Sequence, residues 1–246
     1  MNPVVAIAAR ELRSYFATPI AYVFVVIFLA MSGVFTFFLP PNPFYETGQA
    51  DLTPFFYYHP WLYLFLVPAL SMRLWAEERK TGSIELLMTL PLDVWQAVLG
   101  KFLAAWIFIA IAIALTFPIW ITVNYLGDPD NGTIFAAYIG SVLMAGGFLA
   151  VGSCVSAATK NQVIALIVSV VACFVLLAAG SPLVVDPISA VTPQWFVDAV
   201  ASLSFLTHFS YMMRGVIDVR DLVFFALLIG ACLYANTIVL HLKKAD

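Results

Sequence analysis

Six apolar runs separated by short polar stretches constrain this chain more than any other feature. They lie at about 20–39, 55–75, 101–124, 134–157, 162–180 and 222–242, close to the ~20 residues that a bilayer-spanning helix needs. Bare backbone N–H and C=O groups are not tolerated in hydrocarbon, so such runs are expected to be helices. The expected fold class is therefore all-α integral membrane, with six transmembrane helices. Composition excludes the soluble alternative. Hydrophobic residues make up 63% of the chain and charged residues 10%, against about a quarter charged in soluble domains.

The cations orient the spans. With a cytoplasmic N-terminus, the cytoplasmic side holds Arg10, Arg13, Arg73, Arg79, Lys80, Lys101, Lys160, Lys243 and Lys244, and the outer side only Arg214 and Arg220. That asymmetry predicts that both termini are cytoplasmic. The acids Glu46, Asp51, Asp128, Asp130, Asp186, Asp198, Asp218 and Asp221 fall outside, although acids weigh little in that rule.

Residues 1–18 are expected to form an amphipathic surface helix, because Val4, Ile7, Ala8, Glu11, Leu12, Tyr15 and Phe16 recur at helical spacing within 3–16. Thr18-Pro19 then turns the chain into the first span. Arg10 and Arg13 ahead of an apolar run imitate a signal peptide. The run is longer than a typical signal core and no small-x-small site follows, so it reads as an uncleaved span. Pro40-Pro41-Asn42-Pro43 ends it, and Pro68 and Pro118 mark kinks in the second and third spans. Segment 181–220 is too apolar for a loop and, with Pro182, Pro187 and Pro193, too broken to cross. It reads as outer helices or a re-entrant pair; the other reading, one further short span, would put Lys243 and Lys244 outside. The whole of 1–246 is expected to be a single transmembrane domain.

Several functions are excluded. The net charge is −3 and there is no basic patch with interleaved aromatics, so no nucleic-acid partner is expected. Cys154, Cys173 and Cys232 sit inside apolar runs without metal-ligand spacing. There is no G-x-x-x-x-G-K-[ST] loop, nucleophile elbow, H-E-x-x-H or carboxylate pair, so the chain is not expected to be an enzyme or to hold a cofactor or metal. The span interiors are nearly free of ionisable groups and no internal repeat is evident, against an ion-coupled carrier. Asn236 reads as an interhelical hydrogen bond, and the stripe Gly146, Ala150, Ser153 and Ala157 as a close-packing face that makes the fourth span central. His59 and His208 read as interfacial polar groups on the outer side.

One charged island interrupts the runs, Glu77-Glu78-Arg79-Lys80-Thr81-Gly82-Ser83-Ile84-Glu85-Leu86-Leu87-Met88-Thr89-Leu90-Pro91. With Gly82 as N-cap, Glu85 falls at the third helical position, where a carboxylate suits a helix N-terminus. Pro91 cannot continue that helix. A two-turn helix over 83–90 is expected within a cytoplasmic segment 77–98, with Ile84, Leu87 and Met88 along one face. So short a helix is marginal alone. It either lies on the lipid surface or docks a soluble partner.

The run Arg73-Leu74-Trp75-Ala76 leading into the island resembles, with it, the signature of ABC-2 type transporter permeases. It looks closest to the gliding-motility and nitrous-oxide-reductase-maturation branch, which His59-Pro60-Trp61-Leu62 and Arg214-Gly215-Val216-Ile217-Asp218 also resemble. The resemblance covers essentially the whole chain; the short Pro-rich loop after the first span departs from it. It implies a permease subunit of an ATP-binding-cassette exporter in the bacterial inner membrane. Two copies would pair and recruit two ATPase subunits that hold ATP and Mg. The helix at 83–90 would be the coupling helix. Glu77, Glu78, Gly82, Ser83, Ile84, Glu85, Leu87 and Met88 would dock the ATPase, with further contacts from Arg10, Arg13 and Lys160. An auxiliary membrane or periplasmic protein is a further expected partner, and the apolar interiors suit a lipid-like or amphipathic substrate. The alternative is an ATP-driven membrane scaffold or mechanotransmitter that moves a periplasmic partner and transports nothing.

Overall fold

The computed structural model describes residues 2–39, 44–84, 93–189 and 192–242. These are helical, with no strand among them. The helices are α1 (Pro3–Ala17), α2 (Pro19–Phe38), α3 (Phe44–Thr47), α4 (Thr53–Tyr57), α5 (His59–Ser71), α6 (Arg73–Thr81), α7 (Val94–Ala114), α8 (Phe117–Leu126), α9 (Asn131–Ala158), α10 (Gln162–Ala178), α11 (Pro182–Ser189), α12 (Gln194–Ala201), α13 (Phe205–Met213) and α14 (Val219–Leu242).

α1 starts where the Asn2 side chain accepts the Val4 N–H and Pro3 supplies a preset φ. It ends at Thr18, which is extended as a residue before proline must be. It lies along α7, with Tyr15 stacked on Phe108 at 5.3 Å. Among the described residues, four stretches are long and apolar enough to cross a membrane: Ala21–Phe38, Val94–Leu126, Asn131–Ala158 and Val219–Leu242. The third expected span begins earlier than expected and is broken at Leu115 and Thr116. The break precedes Pro118, whose ring displaces the carbonyl four residues back. The second and fifth expected spans contain α5 (13 residues) and α10 (17 residues). At 1.5 Å per residue these are about 20 and 26 Å long, short of the ~30 Å hydrocarbon core. Among the described residues, the six expected spans are thus four long helices and two shorter apolar ones.

α9 is the hub. Asp130 caps it, its carboxylate accepting the Gly132 and Thr133 N–H groups and the Thr133 hydroxyl, which holds that acid below the usual carboxylate range. α9 packs against α5, α6, α7, α10, α13 and α14, and its small-residue stripe is buried as expected. Three hydroxyls of α9 tie the bundle together, the use to which polar groups are put between membrane helices. Ser141 Oγ meets His59 Nδ1 at 2.9 Å and the Tyr63 hydroxyl at 2.5 Å. Ser153 Oγ accepts from Asn236 Nδ2 at 2.8 Å, the expected interhelical bond, and from Trp75 Nε1 at 3.3 Å.

Ser156 does more. Its hydroxyl donates to the Met72 carbonyl (2.9 Å) and accepts from the Trp75 (3.2 Å) and Ala76 (3.1 Å) N–H groups. In an unbroken helix Ala76 N–H would bond Met72 C=O. A side chain inserted into that ladder is one recognised cause of a kink, and it separates α5 from α6 here. Ser156→Ala would remove this partner, leaving the three buried backbone groups bare unless α5 and α6 rearrange to pair them within one helix. It is expected to destabilise the protein by about 1–3 kcal/mol, read as a lowered thermal midpoint of the purified protein. An unchanged midpoint would refute the bridging role.

His59, at the start of α5, is fully buried within the protein, packed by Phe28, Phe55, Phe56 and Tyr63. Ser141 supplies the hydrogen bond that lets an imidazole sit there. The described residues of segment 181–220 include three short helices, α11, α12 and α13. α13 inserts Phe205, Phe209 and Met212 into the bundle rather than resting on it.

Candidate functional site

The described part of the island is α6 and the residues after it. α6 ends at Gly82, which adopts φ +75°. A left-handed C-terminal residue of this kind is usually glycine because it lacks a Cβ. Gly82 therefore closes the preceding helix and does not have the extended geometry of an N-cap. The chain resumes helical geometry at Ser83 and Ile84. The Ser83 and Thr81 hydroxyls lie 3.0 Å apart, and Ile84 leans partly on the bundle core. Glu85, Leu87 and Met88, with the rest of the expected coupling helix, lie outside the described residues.

Lys101 organises the site. It sits in the second turn of α7 with its side chain only 4% exposed. A charge so buried is found only where it is paired. Its ammonium is 2.7 Å from Glu78 Oε1 on α6, 3.5 Å from Glu11 Oε1 on α1, and 5.3 Å from the centroid of the Trp75 ring. Arg10 holds the same Glu11 oxygen at 2.8 Å. One ammonium thus fastens the surface helix, the island helix and the foot of α7. Burial, and secondarily the Glu11 charge, push the Tyr15 phenol above its ordinary range. Glu11, Tyr15, Arg73, Glu77, Glu78 and Lys101 are among the residues lining a cavity of about 290 Å³ at this junction.

The expected docking residues divide accordingly. Glu78 faces inward to Lys101, whereas Glu77 is half-exposed and pairs loosely with Arg73 at 3.6 Å. Arg79 donates to the Ala157 carbonyl at the end of α9 at 2.8 Å. Lys80 and Lys160 line one hollow of about 400 Å³ with Thr159, Asn161 and Gln162, so the island and the 158–161 turn are brought together. Arg10 belongs to the Glu11 cluster, while Arg13 is exposed and forms no ion pair among the described residues. The junction itself is not expected from the sequence, apart from one sign: a lone lysine in the second turn of an otherwise apolar helix must find an acid. No group of three or more His, Cys, Asp or Glu among the described residues is placed to hold a metal ion.

A polar, ion-paired foot at one end of an apolar helical bundle fits a membrane protein. No curated protein matches the chain. A family model described as ABC-2 family transporter protein matches residues 40–240. That match runs from before α3 to near the end of α14 and includes the island. The chain is a multi-pass membrane protein that belongs to the ABC-2 transporter family, a membrane permease component of an ABC transporter.

Proposed function

We propose that this chain is the permease subunit of an ATP-binding-cassette exporter of the bacterial inner membrane, of the gliding-motility and nitrous-oxide-reductase-maturation type. It has six spans and two cytoplasmic termini, and it works as a pair of copies with two separate ATPase subunits that bind and hydrolyse ATP with Mg. The observation that carries this reading is the Lys101 junction. α6 leads directly into the island, so force applied there reaches α1 and the foot of α7 through Glu78, Lys101 and Glu11. A docking segment without such an anchor would bend without moving a span.

The docking surface comprises Glu77, Gly82, Ser83, Ile84, Glu85, Leu87 and Met88, flanked by Arg10, Arg13 and Lys160; Glu78 serves it from behind. The substrate is lipid-like or amphipathic. Lys101 and Asp221 are the buried charged residues among the described ones, and they lie toward opposite ends of the bundle. Between them the interior offers hydroxyls, His59 and Asn236, which suits a largely apolar passenger.

Leu87→Asp and Glu85→Arg test the reading. Each is expected to abolish co-purification of the ATPase from native membranes while the permease still inserts. Normal co-purification with both variants would sink it. An intact, ATP-hydrolysing complex that moves no amphipathic substrate in proteoliposomes would point instead to the mechanotransmitter.

A further inference from the structure

At the island end of the bundle, Arg10, Arg73 and Lys101 pair with acids, and Arg79 donates to a carbonyl. Arg13, Lys80 and Lys160 form no ion pair among the described residues. Two of these three share one place. Lys80, in the last turn of α6, and Lys160, in the turn between α9 and α10, are both exposed and line the same hollow of about 400 Å³. The other lining residues, Thr159, Asn161, Gln162 and Val163, bring no acid. The described acids of this end do not answer the two ammoniums. Lys101 holds Glu11 and Glu78, Arg73 holds Glu77, and Asp93 pairs with neither lysine. Two like charges facing one space favour an anion between them. The hollow lies at the N-terminus of α10, where the positive end of the helix dipole adds to the same field. Asn161 already caps that end, accepting the Val163 and Ile164 N–H groups, so the dipole supplements the lysines.

The surface next to the hollow decides the kind of anion. α10 turns Ala165, Ser169, Cys173 and Leu177 into the bundle. Its opposite face, Val163, Ile164, Ile167, Val168, Val171 and Val175, is 47–61% exposed at each residue. These residues recur at helical spacing and form one apolar stripe. From Val163 to Val175 the stripe is about 18 Å long at 1.5 Å per residue, close to the roughly 15 Å of hydrocarbon in one leaflet. A soluble phosphate fills the hollow but leaves the stripe bare. A second copy of the chain covers the stripe but offers the hollow none of its paired acids. A lipid answers both.

We propose that Lys80 and Lys160 hold the phosphate of an anionic glycerophospholipid whose acyl chain runs along the exposed face of α10. Basic hollows beside membrane helices are suited to such headgroups. A zwitterionic lipid carries its own cation, which competes with the lysines, so the site selects phosphatidylglycerol over phosphatidylcholine. Lys160 also flanks the proposed docking surface, and the headgroup lies at its rim. The site requires only a chain that spans a bilayer, so it stands whether or not the island recruits an ATPase.

The test is native mass spectrometry of the detergent-purified chain, without any partner protein, titrated with phosphatidylglycerol or phosphatidylcholine. Wild type is expected to bind one phosphatidylglycerol per chain well ahead of phosphatidylcholine. Lys80→Gln combined with Lys160→Gln is expected to weaken phosphatidylglycerol binding about 30-fold, roughly fivefold for each lysine, and to leave phosphatidylcholine unchanged. Arg13→Gln removes an exposed cation outside the hollow and is expected to keep wild-type binding. Unaltered phosphatidylglycerol binding in the double variant would overturn the proposal. So would an equal loss in Arg13→Gln, which would reduce the site to a diffuse positive surface. Glycerol 3-phosphate carries the anion without the chains and is expected not to displace the lipid. Displacement at equal concentration would assign the hollow to a soluble phosphate instead. A dimer that forms only as the lipid leaves would assign the α10 face to a second copy and overturn the lipid equally.

Discussion

Lys101→Met is expected to lower the stability of the purified permease by about 2 kcal/mol, below the roughly 3–5 kcal/mol that breaking a fully buried ion pair costs, because the two acids retain partial access to water. Glu11 and Glu78 side chains are 20% and 21% exposed. Methionine fills the space and removes the charge, so the loss reads electrostatics rather than volume. Glu78 Oε2 is already buried without a partner; without Lys101 its other oxygen also loses its cation. Adding Glu11→Gln and Glu78→Gln is expected to recover most of the loss, because no uncompensated charge then remains. The double-mutant logic is measurable by chemical denaturation, and a triple variant less stable than Lys101→Met would contradict it. In the assembled complex Lys101→Met is also expected to retain the ATPase but lose stimulation of its turnover by substrate. Docking and transmission would then be separable, the first carried by the island and the second by the junction behind it.

The second large effect is expected at Gly152→Leu. A Cβ at this position would overlap the Ser71 hydroxyl and come within 2.9 Å of Ser71 Cβ. The Ser71 side chain of α5 sits directly against the Gly152 backbone of α9 here, one turn before Ser156 opens the α5–α6 ladder. Overpacking of this kind costs about 1–3 kcal/mol when neighbours can yield, and more when they cannot. Ser71 is fully buried and donates to the Pro68 carbonyl, so it has little room to move. The expected outcome is loss of the monodisperse peak in size-exclusion chromatography of detergent extracts. Gly230→Leu on α14 provides the control, since a Cβ there meets nothing within 4 Å. Equal behaviour of the two variants would show that the contact is not tight.

The parts of this structure legible in the sequence are those that repeat. The α1 stripe, the apolar runs of α2, α9 and α14, and the small-residue face around Gly146 and Ser153 all recur at fixed spacing. Proline and asparagine punctuation placed most of their ends within a few residues. What repetition cannot show is which apolar faces meet protein and which meet lipid, because both favour the same residues. The burial of His59 against protein is hidden for that reason, since it is a polar residue in an aromatic run with its partner 82 positions away. The α5–α6 break is equally invisible, since a hydroxyl from another helix causes it. The Lys101 junction joins α1, α6 and α7, and each of its residues read singly looks like an ordinary cytoplasmic charge. For the proposed docking face the division runs differently. The sequence marks the island as a motif, while the structure describes the Lys101 junction next to it and leaves Glu85, Leu87 and Met88 outside the described residues.

The Ser156 bridge makes the α5–α6 corner a joint with two settings. While the hydroxyl is inserted, Met72 C=O and Ala76 N–H are both satisfied through it. Once it withdraws, the two can satisfy each other as in any continuous helix. Positions between these extremes leave a carbonyl or an N–H bare in a dry interior, at about 1–3 kcal/mol for each. The corner therefore resists small displacements and snaps under larger ones. A steadily rising load on α6 would emerge at the far end of α9 as a step, and the bundle would act as a detent rather than a spring.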